Sequence, residues 1–460
     1  MPNFDTGDVS DLSRFFRVQR LFSAVGAAFR PGTILTGVFL VLLLGLGGRA
    51  WDGLRGRVID GSGLLAPVPT DGERTAGKTR LMRIVAQFVP RADRPAEWDL
   101  ENLDPIEVRA ELQRIQRDTS DALQSEQLTK AILELERFIP RGTWEATSRA
   151  VTQCLEGLTR SVVTASPLEA VEWTARLVVT LPVSIFNRDR GFLIFFGVYA
   201  LLVLSVGGGA MSRMAACGLA GRGVPSPADA MAFAFGRWPN FFLAVLLPPL
   251  FVGGLFLVGG VAGLLMGVPG LNIVASLLYV VALFFGFLAA FVSLMWIASI
   301  PLSTPAGACD GADAVEANQR SVAFVLRRPM LALGYLVAGL VAWALGMFIL
   351  DLFAAVTVNL TAASGNWLFP SAVMGTAGGM SVLGQDLPNG PSFGGTTGIS
   401  VILVDFWKRV VMVLVAGGTL SLFTSISTAA YLCLRNACDE QPFDDLWDPE
   451  LPEGVRRVET

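Results

Sequence analysis

The chain contains no histidine, and this absence excludes several chemistries. Without imidazole there is no Ser-His-Asp or Cys-His catalytic centre, no histidine-ligated haem and no histidine-dependent zinc site. Its five cysteines include no Cys-x-x-Cys pair, so the sequence carries no metal or redox motif. The formal net charge of −4 does not indicate nucleic-acid binding. We therefore expect no catalytic residue, no cofactor, no metal and no nucleic-acid partner.

Charge is also scarce. Charged residues make up 16% of the chain, whereas soluble domains contain about 25%. The hydrophobic fraction is 52%, and the apolar residues fall in runs long enough to cross a bilayer. The sequence thus predicts an all-α integral membrane protein with the lipid bilayer as its first partner. We expect six transmembrane helices: 33–50, 191–210, 241–266, 275–302, 330–356 and 410–434.

The first and the third predicted span each have a distinctive local sequence feature. The first shows no convincing small-residue cleavage site after it, which favours a retained anchor over a cleaved signal peptide. The third contains Pro248 and Pro249, and we expect these prolines to break the helix.

The arginines predict the orientation. Thirteen of them lie in the N-terminal segment, in the tail and in two of the connections, against only Lys408 and Arg409 in the short loops of the opposite side. Because cytoplasmic loops carry the excess of Lys and Arg, both termini are predicted to be cytoplasmic. Segment 1–32 is then a cytoplasmic amphipathic segment and 435–460 a cytoplasmic acidic tail, while 51–190 and 357–404 lie outside.

One pattern occurs three times along the chain. An amphipathic stretch ends in arginine, a proline follows, and a span begins. We expect each stretch to form a helix at the cytoplasmic interface and each proline to end it. The alternative is that any cytoplasmic span start tends to carry an arginine and a helix breaker. The residues that carry this pattern are Arg30, Pro31, Arg237, Pro239, Arg328 and Pro329.

The insert 51–190 is predicted to be mostly helical. Residues 52–104 look irregular, residues 105–163 show helical periodicity, and Ser166-Pro167-Leu168-Glu169 reads as a capping box. Gly72–Thr79 fits the phosphate-loop pattern GxxxxGK[ST] letter for letter. It lacks the buried strand that must precede such a loop, so we expect an exposed loop and no nucleotide.

Asp351 is the only charge within the apolar stretch of span five. A charge in a span is a functional candidate, but this one lies near the outer end, which favours an interfacial ion pair or a solvated carboxylate. Small residues also recur every four positions in spans three, five and six, for example Gly259, Gly263 and Gly267. Close helix packing is the expected role. Ser and Thr lining a solute path is the alternative.

Short motifs carry a resemblance across roughly residues 191–450. They are Ser212-Arg213-Met214, Ala228-Asp229-Ala230, Ala312-Asp313-Ala314, Arg327-Arg328-Pro329 and Tyr431–Arg435 with Asp439 and Asp444-Asp445. In these the chain resembles a family of uncharacterised bacterial polytopic membrane proteins, and more distantly the membrane domain associated with glycerophosphodiester phosphodiesterases. The resemblance implies a membrane-domain fold in the bacterial inner membrane and no catalytic residue.

Three functions compete on this sequence. The first is a non-catalytic scaffold, assembly factor or lipid-contacting protein, whose further partners would be other membrane proteins. The second is a solute permease or exporter, favoured by the possible repeats and by a broken third span. A membrane enzyme is the weakest, because no nucleophile–base or carboxylate pair stands at a useful spacing.

Overall fold

The computed structural model describes residues 18–59, 61, 63–66, 71–89, 105–118, 127–128, 130–132, 135, 139–368, 371–380, 382 and 395–448. Within them the protein is almost wholly helical, as predicted. Two short strands, β1 (Arg57–Ile59) and β2 (Arg141–Gly142), pair antiparallel with Arg57 opposite Gly142. The helices are α1 (Val18–Ala28), α2 (Pro31–Arg55), α3 (Asp71–Phe88), α4 (Pro105–Asp118), α5 (Thr143–Val163), α6 (Pro167–Ala175), α7 (Leu181–Arg188), α8 (Gly197–Leu219), α9 (Pro227–Gly236), α10 (Trp238–Met266), α11 (Leu271–Leu277), α12 (Tyr279–Cys309), α13 (Ala314–Arg327), α14 (Pro329–Leu368), α15 (Ala372–Ala377) and α16 (Gly395–Asp439).

Five helices of the described residues are long and apolar enough to cross a membrane. They are Pro31–Arg55, Phe192–Leu219, Trp238–Met266, Tyr279–Cys309 and Pro329–Leu368. Phe192–Leu219 is α8 preceded by one π-helical turn, Phe192–Phe196. The five contain the first five predicted spans almost entirely. The sixth predicted span, 410–434, falls inside the 45-residue α16, which is not among the five.

The expectation that Pro248 and Pro249 break the third span is wrong. Helix α10 runs without interruption from Trp238 to Met266 with both prolines inside it. A proline removes one backbone hydrogen bond and clashes with the preceding turn, but transmembrane helices tolerate this where neighbouring groups adjust. A helix break does occur in the fourth predicted span, at Leu278, where α11 ends and α12 begins.

All three arginine–proline sites separate a short helix from a long one. α1 ends at Ala28 before Pro31 opens α2, α9 ends at Gly236 before α10 starts with Pro239 in its first turn, and α13 ends at Arg327 before Pro329 opens α14. Proline suits the first helical turn, because its missing N–H would have no intrahelical partner there. The helix breaks therefore occur where the sequence pattern predicts them.

The chain divides into two compact units. The first contains residues 1–44, 199–347 and 416–460. Its centre is the second half of α16, in which Leu422, Tyr431 and Leu434 have no exposed surface. Helix α2 crosses α16 at Gly37 and Gly417, where a Cβ on Gly417 would lie 2.6 Å from the backbone nitrogen of Val38. The small-residue pattern of span six therefore does mark a close helix contact.

The second unit contains residues 45–198 and 348–415. Within it, α3 and α4 bury a small apolar core with Leu128, Ala131, Ile132 and Leu135, and this core includes Ile84 and Leu112. The periodicity of 105–163 therefore predicted helices correctly. Residues 52–104 are less irregular than expected, because they include β1 and α3.

Two local expectations in this unit are wrong. Residues Gly72–Thr79 lie within α3 and not in an exposed loop. A helix directs its backbone N–H groups along its own axis, so this segment does not form a phosphate-cradling loop. Helix α6 does begin at Pro167, but the side chain of Ser166 makes no capping hydrogen bond. The equivalent motif before α9 does cap, since Ser226 accepts a hydrogen bond from the Asp229 backbone N–H at 3.2 Å.

Candidate functional site

A buried charge cluster lies at the end of α12, in the first unit. Asp310 follows the last residue of α12, and its N–H still donates to the carbonyl of Ala306 at 3.0 Å. Gly311 then adopts a left-handed conformation with φ +66°, which ends the helix at low cost because glycine has no Cβ. Asp313 accepts a hydrogen bond from Glu316 N at 2.8 Å and starts α13. This turn fixes the Asp310 carboxylate between two helices.

Three side chains donate to the Asp310 carboxylate. Arg435 Nη1 lies 2.5 Å from Oδ1, Arg320 Nη1 lies 3.0 Å from Oδ2, and the hydroxyl of Tyr431 donates to Oδ2. The side chains of Asp310 and Arg435 are 6% and 2% exposed, so this ion pair is screened little by water. We call Asp310, Arg320, Tyr431 and Arg435 the Asp310 cluster.

Both arginines of the cluster stay charged. Burial lowers the pKa of Arg435, but the Asp310 carboxylate, together with the Cys309 thiol and the Tyr431 hydroxyl, outweighs this, and the pKa lies above the usual arginine value. The same balance holds for Arg320, whose pKa is raised by Asp310 and by Glu316, the latter 2.6 Å from Nη2. Both guanidiniums therefore remain cationic partners of the Asp310 side chain near neutral pH.

The segment after α16 is held across this region by arginines. Arg435 Nη2 donates to Pro442 O at 2.8 Å, Arg222 Nη2 to Asp444 O at 2.6 Å, and Arg213 Nη1 to Trp447 O at 2.8 Å. The Trp447 backbone N–H in turn donates to Cys309 O at 2.7 Å. These bonds connect residues 442–447 to α8, α12 and the turn after α8. The Asp310 cluster and residues 442–447 therefore hold α8, α12, α13 and α16 of the first unit together.

The predicted site residues take different positions. Arg237 contacts the turn after α12, since its Nη2 donates to Gly311 O at 2.5 Å and its guanidinium lies 4.6 Å from the Trp447 ring centroid. Arg30 lies against Gly218, and its Nη1 is buried without a hydrogen-bond partner. Arg328 caps the end of α13, and Asp351 is half-buried on α14 in the second unit. Pro31, Pro239 and Pro329 stand in the first turns of their long helices.

Sequence reasoning did not single out Asp310, Tyr431 or Arg435 as a cluster. Among the sequence patterns given above, Arg435 appears only at the end of the motif Tyr431–Arg435 and at the start of the tail 435–460, and Asp310 appears in none. A signal was present, because Arg435 directly follows the apolar run Tyr431–Leu434 and Asp310 directly follows the end of a span. Charges in such positions need a partner. The sequence does not say which of many opposite charges that partner is.

The cluster is suited to holding elements together and not to bond chemistry. Its carboxylate oxygens are occupied by guanidinium and hydroxyl donors, and the nearby arginines donate to backbone carbonyls. Within the described part of the chain, no group of three or more His, Cys, Asp or Glu side chains is placed to hold a metal ion. The geometry supports a structural role for the cluster.

Comparison with known proteins adds no functional assignment: the chain matches no protein-family model, no curated protein and no solved structure. The resemblance to membrane domains associated with glycerophosphodiester phosphodiesterases stays a prediction. The function has to be argued from the geometry itself.

Proposed function

We propose that this is a non-catalytic multi-pass membrane protein with a scaffold, assembly or lipid-contacting role. It would cross a bacterial inner membrane six times, with both termini in the cytoplasm. The observation that carries the proposal is the exposed apolar surface of α10 and α12, two helices of the first unit. A surface of this kind needs acyl chains or other transmembrane helices to cover it.

Helices α10 and α12 lie largely outside the core of their unit. Only 17% of the residues in the most apolar stretch of α10 are buried, and 6% in that of α12. Phe287 and Leu264 are among the exposed large side chains, at 70% and 74%. Gly259 and Gly263 have open space where a Cβ would stand. The small-residue seam predicted in α10 is thus left uncovered by the described residues, and it is available to a neighbouring helix or to lipid.

The interior of the first unit supports this role over transport. Several hydroxyls of α16 bond to backbone carbonyls, as Ser421 does to Ala28 O at 2.8 Å and Thr428 to Thr424 O at 2.7 Å, while the buried Ser425 hydroxyl has no hydrogen-bond partner among the described residues. Ser421 and Thr428 have no exposed surface. These side chains are used for packing and do not line an open path. The continuous α10 also removes the interrupted helix that favoured a permease.

Photo-crosslinking tests the proposal. A photoreactive amino acid at Leu264, on the exposed face of α10, should form adducts with phospholipid or with a discrete membrane protein in intact cells. The matched control is Leu168 in α6, which is 86% exposed in the insert. Adducts would be identified by mass spectrometry. A Leu264 probe that reacts only with water, as a probe lining an aqueous path would, contradicts the proposal and favours the permease.

Cysteine labelling tests the orientation. In a cysteine-free background, Glu169→Cys and Ala363→Cys should react with a membrane-impermeant maleimide on spheroplasts, and Gly223→Cys should not. All three positions are exposed. Ala312 would be a poor inner probe, because it is 1% exposed. Labelling of Gly223→Cys with protection of the other two would invert the predicted topology.

A further inference from the structure

We infer that a cavity in the second unit binds a phosphate-bearing anion through Arg55 and Arg190. The cavity has a volume of about 470 Å³ and is lined by Arg55, Val58, Asn187, Arg188, Asp189, Arg190 and Gly191. This volume is within the range of small-molecule sites, which is roughly 300–1,000 Å³. Three arginines and one aspartate give the lining an excess of positive charge.

Arg55 and Arg190 are held by aromatic rings and not by acids. The Arg55 guanidinium lies 5.7 Å from the Trp51 ring centroid, and that of Arg190 lies 5.0 Å from the Phe186 centroid. Across the described residues, neither has a carboxylate at ion-pair distance or a side-chain hydrogen bond. A guanidinium stacked on a ring keeps its N–H edge available to an anion.

The other charged residues of the cavity are already engaged. Arg188 donates to Gly63 O at 2.7 Å and to Ala66 O at 2.9 Å. Asp189 accepts from Trp51 Nε1 at 3.2 Å, from Thr143 Oγ1 at 3.0 Å and from Phe192 N at 3.0 Å. Asp189 therefore anchors the cavity wall, and among the described residues neither Arg55 nor Arg190 lies at ion-pair distance from it.

The wall that carries the arginines is well packed. Trp51 stacks on Phe195 with centroids 6.2 Å apart and meets Phe192 edge-on at 5.9 Å. The adjacent Asp52 accepts from the Trp144 backbone N–H at 2.8 Å, which fixes the end of α2 against the start of α5. The two guanidiniums are thus presented on a fixed frame, and preorganisation of this kind favours binding.

Phosphate is the anion that best fits this arrangement. Guanidinium forks match the geometry of phosphate oxygens and bind them with charge-assisted hydrogen bonds. A phospholipid headgroup and a soluble phosphate would both supply this chemistry.

The test uses the full-length protein purified in a zwitterionic detergent. Inorganic phosphate is titrated by calorimetry, and native mass spectrometry counts lipids retained after exchange with phosphatidylcholine vesicles with or without phosphatidylglycerol. We expect the Arg55→Gln/Arg190→Gln variant to bind at least about tenfold more weakly, because two charge-assisted contacts are lost. Arg57→Gln is the matched control, since Arg57 is exposed on β1 and does not line the cavity.

Every result of these experiments either supports the anion site or overturns it. Binding of inorganic phosphate that depends on Arg55 and Arg190 supports the site with a soluble ligand, and arginine-dependent retention of phosphatidylglycerol alone supports it with a headgroup. An equal loss in Arg57→Gln overturns the proposal, because it would show diffuse charge attraction. Absence of both activities in the wild-type protein also overturns it. Arg55→Lys/Arg190→Lys keeps the charge, and intermediate affinity in this variant shows that a weaker Gln variant has not simply unfolded.

Discussion

Removing the Asp310 carboxylate should strongly destabilise the first unit. Asp310→Ala leaves Arg435 buried with its charge uncompensated, since Arg435 Nη1 loses the one carboxylate contact and Nε lacks a partner among the residues that the structure describes. Breaking a buried ion pair in this way costs about 3–5 kcal/mol. If the whole cost appears in the unfolding barrier, the rate of thermal unfolding rises by roughly 10²- to 5 × 10³-fold.

The control is an exposed ion pair in the same region. Arg327 and Asp439 lie 2.9 Å apart, but their side chains are 61% and 31% exposed. Such pairs contribute about 0–1 kcal/mol, so Asp439→Ala should unfold nearly as slowly as the wild-type protein. The assay is the half-life of monodisperse protein in detergent at a fixed elevated temperature, followed by fluorescence-detected gel filtration.

A double substitution separates charge from packing. Asp310→Ala/Arg435→Met removes both charges and should recover most of the lost half-life, because the cost arises from the orphaned guanidinium. The reasoning is refuted if Asp310→Ala behaves like Asp439→Ala. It is also refuted if the double variant is as unstable as Asp310→Ala alone.

Three further outcomes are expected. Gly417→Leu should reduce the membrane yield of folded protein, because the leucine side chain would meet the α2 backbone at an overpacking cost of about 1–3 kcal/mol. The control Gly260→Leu should leave the yield unchanged, because Gly260 faces open space. Equal yields of the two variants would contradict the close contact between α2 and α16. Pro329→Leu should lower the membrane yield more than Asp351→Asn does. If Asp351→Asn instead gives the lower membrane yield and also loses physiological activity, a transport function is favoured. Burial raises the pKa of the Cys154 thiol, so in a variant keeping only this cysteine, alkylation at pH 8 should be slow until the protein is unfolded in SDS. Because the unfolded thiol ionises at its lower ordinary pKa, the contribution of Cys154 to stability should fall as the pH rises above about 8.5, measurable as a ratio of thermal half-lives, wild type to Cys154→Ala, that decreases with rising pH.

Local patterns in the sequence predicted much of the fold. Apolar run length located the long helices, since a bilayer span needs about 20 apolar residues. Proline after arginine located three helix breaks, because proline restricts only its own turn and the one before it. Helical periodicity placed Leu112, Leu128 and Leu135 on buried faces. These properties depend on residues only a few positions apart.

Tertiary structure decided what local patterns could not. Asp310 pairs with Arg435 across 125 positions, and the chain offers many other arginines that a sequence cannot rank as partners. Pro248 and Pro249 stay inside a continuous helix although their local signal is a break, and Gly72–Thr79 folds as a helix although its letters match a loop motif. The Asp310–Arg435 pair depends on contacts between distant parts of the chain, and the two helical segments depart from a local preference of a few kcal/mol at most. The sequence alone therefore determined where most of the long helices lie and where several of them end. The three-dimensional arrangement determined which buried charges meet, because that depends on contacts between distant parts of the chain.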